Sequence, residues 1–121
     1  MKIVVIENDT LLLSVISTVL SREGHEVFEC IDGYEGIRNI FRHKPDMVIT
    51  EIMIPNKSGA EIVHFIRKTL NWDTLIVILS SLGQQRNLED YFEYGVDEYI
   101  TKPFSIKEFV VRINKLRNHQ S

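Results

Sequence analysis

The sequence predicts one α/β domain with five parallel strands in a doubly wound sheet. Three observations carry this. The chain has 121 residues, close to the commonest size of a single compact domain. Its hydrophobic period alternates between short β-branched runs and helically spaced stripes. Capping signals stand where the period changes. The first strand is read over 2–6 (KIVVI), after which Asp9 or Thr10 can cap a helix striped by Leu12, Ile16, Val19 and Leu20. Gly24 marks its left-handed exit, and a second strand follows over 26–30 (EVFEC). Asp32-x-x-Glu35 opens the second helix, with Ile37, Ile40 and Phe41, and leads to a third strand over 46–50 (DMVIT). Ser58-x-x-Glu61 opens the third helix, with Ile62, Phe65, Ile66 and Leu70, ahead of a fourth strand over 75–79 (LIVIL). A weaker helical segment over 86–94 holds Leu88, Tyr91 and Phe92; Gly95 ends it before a fifth strand over 97–100 (DEYI). Ser105-x-x-Glu108 opens the fifth helix, with Phe109, Val110, Ile113 and Leu116, and Phe104 and Phe109 occupy the two positions of a hydrophobic staple. Strict βα alternation implies right-handed crossovers and helices on both faces of the sheet.

Composition narrows the function classes. Hydrophobic residues make up 44% and charged residues 26%, which argues for a packed core and against disorder. Fourteen Lys and Arg against seventeen Asp and Glu give a formal charge of -3, so no basic excess advertises direct nucleic-acid contact. The single cysteine, Cys30, rules out a disulfide within the chain and is read as a small buried residue on a strand. No apolar run approaches the ~18 residues of a membrane span, and Glu7 arrives too early for a signal peptide. A cytoplasmic address without membrane contact is expected, which makes the sequons at Asn8 and Asn56 chance matches.

In a sheet of this type the crevice lies at the carboxyl ends of the strands. Those ends carry Glu7-Asn8-Asp9, Glu51, Ser80-Ser81 and Lys102-Pro103. Acids, an amide, hydroxyls and an ammonium would thus share one rim, although such residues also begin ordinary loops. Asp9 reads better as a helix cap than as a metal ligand, and Thr50 should point to the opposite face from Glu51. Other chemistries find no support: His25, His43, His64 and His119 lack metal-ligand spacing, and no Gly-rich phosphate loop is present. Ser80 and Ser81 lack the flanking glycines of a nucleophile elbow. The domain is read as a non-enzyme.

The stretches KIVVIENDTLL, EGHEVFECIDGYEGI, KPDMVITEIMIPNKSG, IVILSS and, above all, GVDEYITKPFSIKEF resemble the receiver domain of two-component response regulators over residues 2–117. The resemblance implies the flavodoxin-like strand order 2-1-3-4-5. It further implies an Asp at the end of the third strand that accepts a phosphoryl group from a histidine kinase. Two acids after the first strand bind Mg²⁺ in such domains, a hydroxyl and a Lys contact the phosphoryl oxygens, and an aromatic on the fifth strand swings inward with the hydroxyl. By position, Glu51 is the phosphoacceptor equivalent and Glu7-Asn8 the acid pair. Ser80 and Lys102 are the phosphoryl-contact equivalents, Tyr99 is the switch, Pro103 forms a cis turn, and Met53 offers a backbone carbonyl to the metal.

Two positions depart from the pattern, because Glu51 replaces Asp and Asn8 replaces an acid. The extra methylene of Glu51 moves its carboxylate by about a bond length, and a displacement near 1 Å can cost on the order of 100-fold in rate. Asn8 removes one formal negative charge from a site for Mg²⁺, a cation that dehydrates reluctantly and relies on carboxylates. No cofactor is therefore expected, with a weakened Mg²⁺ site at Glu7, Asn8, Glu51 and the Met53 carbonyl as the remaining option. A Glu51–Lys102 pair could mimic phosphorylation or simply neutralise the lysine, and the sequence leaves both states open.

The leading expectation is an atypical receiver acting through protein contact with an effector domain and a cognate or former kinase. The alternatives are a working phosphoacceptor using Glu51 or a neighbour, and a ligand-gated receiver. Asp97 and Glu98, set against Arg112, Lys115 and Arg117, resemble the winged-helix class of transcriptional response regulators. That resemblance implies a homodimer through the face of the fourth helix, fifth strand and fifth helix. Residues 118–121 are read as a polar tail or the start of a linker to an output domain.

Overall fold

The computed structural model describes residues 1–81 and 94–118. Five parallel strands form one sheet of order β2-β1-β3-β4-β5: β1 Lys2–Ile6, β2 Glu26–Cys30, β3 Met47–Glu51, β4 Leu75–Ser81 and β5 Glu98–Lys102. Three helices, α1 (Thr10–Arg22), α2 (Gly33–His43) and α3 (Gly59–His64), and a C-terminal helix (Ile106–Asn118) cover it. A π-helical turn, Phe65–Thr69, extends α3. No helix among the described residues is long and apolar enough to cross a membrane. The helix expected over 86–94 falls on residues outside the described part, apart from Tyr94, which stands in a turn.

Alternation along the strands builds two cores. Ile3, Val5, Met47, Ile49, Val77, Leu79 and Ile100 face α1 and the C-terminal helix, meeting Leu13, Ile16, Leu20, Phe109 and Ile113. Val4, Ile6, Val48, Ile76, Ile78 and Tyr99 face α2 and α3, meeting Ile40, Ile62, Val63 and Ile66. The expected caps form. Asp9 accepts the Leu11 and Leu12 N–H groups, Asp32 that of Glu35, Ser58 that of Glu61, and Ser105 that of Glu108. The Phe104 and Phe109 rings stack with centroids 5.3 Å apart, closing the staple. Gly24 and Gly95 hold φ of +90° and +96°, where a side chain would strain the backbone.

Several expectations need correction. In α1 the fully buried position is Leu13, with Leu12 on the flank, because Leu13, Ile16 and Leu20 lie one turn apart on a single stripe. Phe41 lies a further 100° around α2 from Ile40 and is 64% exposed. The third strand is bounded at Met47, next to Asp46, whose N–H donates to the Lys2 carbonyl at 2.9 Å, whose carbonyl accepts the Leu75 N–H at 3.0 Å and whose carboxylate accepts the Lys2 N–H at 2.8 Å. The fourth and fifth strands run on to Ser81 and Lys102, because their ladder continues through Ser80↔Thr101 and Ser81↔Lys102. Ser80 and Lys102 are therefore strand residues.

Candidate functional site

Register decides which side chains can meet. Glu7 extends β1 by one residue, its N–H bonding the Cys30 carbonyl at 3.0 Å, and it shares the parity of Ile3 and Val5. Glu51 ends β3 with the parity of Met47 and Ile49; Lys102 ends β5 with the parity of Ile100. All three side chains therefore leave the sheet on the α1 side, at the carboxyl ends of their strands. Lys102 Nζ lies 2.6 Å from Glu7 Oε1 and 2.6 Å from Glu51 Oε2. The carboxylate side chains are almost fully buried and the lysine 20% exposed. The second oxygen of each carboxylate is also engaged: Glu7 Oε2 accepts the Asp9 N–H at 3.0 Å, and Glu51 Oε1 that of Met53 at 3.3 Å.

Gly59 permits this geometry. A Cβ there would lie 2.8 Å from Ile52 Cα and 2.9 Å from the Glu51 carbonyl oxygen, so only glycine lets α3 start against the strand end that carries Glu51. Burial works against the Lys102 charge, but the Glu51 and Glu7 carboxylates outweigh it and raise the ammonium pKa above its ordinary value. Asn8 is exposed, and its side chain makes no hydrogen bond among the described residues. Met53 gives Glu51 its N–H and leaves its side chain 63% exposed. Thr50 is buried and donates to the Glu51 carbonyl, apart from the ion cluster.

The other face of the same strand ends holds a second pair. Ile78 on β4 pairs with Tyr99 on β5, which places Ser80 one side-chain repeat further along that face. The Tyr99 ring is turned inward, 6% exposed, and its hydroxyl is hydrogen-bonded to Ser80, which is fully buried. The Lys102–Pro103 peptide bond is cis.

Three of the residues expected at an interface are held in ion pairs within the chain. Asp97 accepts the Ile76 N–H at 2.8 Å and pairs with Arg67 at 3.3 Å. Glu98 accepts the Tyr99 N–H and pairs with Arg112 at 3.2 Å; Arg112 also donates to the Tyr99 carbonyl at 3.0 Å and pairs with Glu108. Lys115 and Arg117 are exposed on the last turns of the C-terminal helix. Sequence reasoning missed Arg67. From the π-helical turn it donates to the carbonyls of Gly95, Trp72 and Thr74 as well as to Asp97, and a lone Arg in a helical stripe gives no sign of that role.

The profile of the response regulator receiver domain matches residues 3–114. The chain belongs to that family. This receiver is similar to the receiver domain of the Francisella response regulator 1452, with 30% identity over 99% of this chain and 98% of the other at a TM-score of 0.90. It is similar to a response regulator receiver domain protein from Clostridium thermocellum, with 29% identity over 98% and 95% of the two chains and a TM-score of 0.89. A third likeness is the BeF3-activated N-terminal receiver domain of Klebsiella pneumoniae RstA, with 30% identity over 94% and 96% and a TM-score of 0.85. Receivers are in general signalling domains, working between kinases and effector domains. In this one, no three His, Cys, Asp or Glu side chains converge among the described residues, and the Lys102 ammonium stands between the two carboxylates that would face a cation.

Proposed function

We propose that this receiver signals by protein contact and does not accept a phosphoryl group efficiently at Glu51. The observation that carries the reading is the Lys102 bridge, with its ammonium 2.6 Å from both Glu51 and Glu7. An acceptor carboxylate must present a free oxygen in line with the incoming phosphorus, and positioning supplies most of the rate. Glu51 Oε2 is instead held by Lys102, and Oε1 is turned to the Met53 N–H. The longer arm thus satisfies the lysine from within the chain, where the family pattern has an Asp that waits for phosphate.

The mechanical half of the switch is retained. Tyr99 lies inward on Ser80, while its backbone carbonyl is held by Arg112 at the surface. This supports a reading in which the Glu51–Lys102 pair stands in for phosphate and keeps the aromatic turned in. The output is then a fixed surface offered to an effector domain, a kinase or a second copy of the chain.

Intact-mass spectrometry after incubation with acetyl phosphate and Mg²⁺ tests this. Wild type should gain no phosphoryl mass under conditions that label the Glu51→Asp/Asn8→Asp variant, a difference of at least about 100-fold in rate. Label on wild type that disappears in Glu51→Gln would sink the proposal and make Glu51 an ordinary, if unusual, acceptor.

A further inference from the structure

Two buried carboxylate oxygens, Glu7 Oε1 and Glu51 Oε2, converge on the Lys102 ammonium. Both are short, charged contacts of 2.6 Å, so the ammonium occupies the place between the two oxygens. Formal charges show what this does to cation binding. The family pattern of three acids and one lysine leaves the pocket at -2, which one divalent ion neutralises. Here Asn8 supplies no charge, and Glu7, Glu51 and Lys102 leave -1. A divalent ion entering beside the lysine would turn a buried pocket positive, against like-charge repulsion and with few oxygens left to replace its water.

From this we infer that Lys102 is the pocket's own resident cation: its ammonium fills the seat between Glu7 and Glu51 and excludes Mg²⁺ from this receiver. The inference rests on the same altered pocket as the proposed function, but it concerns cation occupancy and needs no phosphodonor. It makes two demands on variants. Removing the lysine charge leaves -2 and opens the seat. Restoring the acid in Asn8→Asp also leaves -2, with Lys102 still present. Both should bind a divalent ion that wild type refuses.

The experiment titrates the full chain with Mn²⁺, reading free ion by its electron paramagnetic resonance and bound ion by water-proton relaxation. Wild type should show no saturable binding into the millimolar range. Lys102→Ala and Asn8→Asp should each bind one ion, at least about tenfold more tightly than wild type. Lys102→Gln, neutral and closer in length, serves if the alanine variant does not fold, and Asn8→Asp leaves the ion pairs in place. Saturable wild-type binding that Glu51→Gln abolishes, or folded variants that bind no better than wild type, overturns the inference. Mn²⁺ binding by wild type without phosphoryl transfer would overturn this inference alone; phosphoryl transfer at Glu51 without Mn²⁺ binding would overturn the proposed function alone.

Discussion

Burial acts on Lys102 and His25 in the same direction, disfavouring the proton on each, and their neighbours decide the outcome. Lys102 faces two carboxylates and its pKa rises. Its contribution to stability is therefore complete below the ordinary value of 10.5 and is lost only as pH climbs through the raised one. The ion cluster keeps its lysine charge across neutral pH. At His25, burial is joined by the cationic Met1 amine and Arg117, with Glu23 opposing, and the pKa falls below 6.5. The unfolded chain then binds the proton first as pH drops below 6.5, so stability declines there and is flat above. Urea unfolding between about pH 5 and 8 checks this: His25→Gln should flatten the acid-side slope relative to wild type, and equal slopes would count against it. Nothing in the sequence marked His25 for this role, because the Met1 amine that lies 3.0 Å from its Nδ1 is 24 residues away.

At the scale of elements, legibility followed how local the cause was. The caps at Asp9, Asp32, Ser58 and Ser105 depend on residues two or three positions apart and each forms, whereas the returning acid of the capping box does not reach its cap residue: Glu35 accepts the Ile31 N–H instead, and Glu108 pairs with Arg112. The strand ends were misread because ladder pairing, a long-range cause, carried β4 to Ser81 and β5 to Lys102. The π-helical turn was equally hidden: the Leu70 N–H bonds the Phe65 carbonyl, and the extra residue aims Arg67 at the chain leading into β5. That segment runs into β5, on which Tyr99 and Lys102 lie, so Arg67 ties the end of α3 to the approach to β5. Arg67→Ala should cost about 3 kcal/mol, since it strands several carbonyls and the Asp97 carboxylate together. Arg67→Lys should recover only part of this, because a single ammonium cannot match the planar fork. Urea midpoints for the two variants decide it, and a lysine variant as stable as wild type would argue against the fork geometry.

At the scale of the molecule, the sequence placed Glu7, Glu51, Ser80 and Lys102 on one rim and the family resemblance added Tyr99, and the register explains why Ser80 and Tyr99 face one core and Glu7, Glu51 and Lys102 the other. What it could not convey was charge pairing at the surface. Of the residues read as halves of a contact between copies, Glu98 and Arg112 meet inside one copy, while Asp97 pairs with Arg67 and Arg112 also pairs with Glu108. This does not abolish a self-complementary face; it sets the terms on which one can form. Arg112 is 37% exposed and Glu108 47%, so a twofold partner can exchange these intramolecular pairs for equivalent intermolecular ones, beside the exposed Val111 and Lys115. Such an exchange gains little per pair, about 0–1 kcal/mol, and is screened by salt. The expected dimer is accordingly weak and salt-sensitive, and under the proposed function it forms without a phosphodonor. Sedimentation equilibrium should find dimer at low salt, less of it as salt rises, and monomer for Arg112→Glu. Glu108→Arg combined with Arg112→Glu should restore association by swapping the pair. A chain that is monomeric until acetyl phosphate is added would contradict both the dimer and the fixed switch behind it.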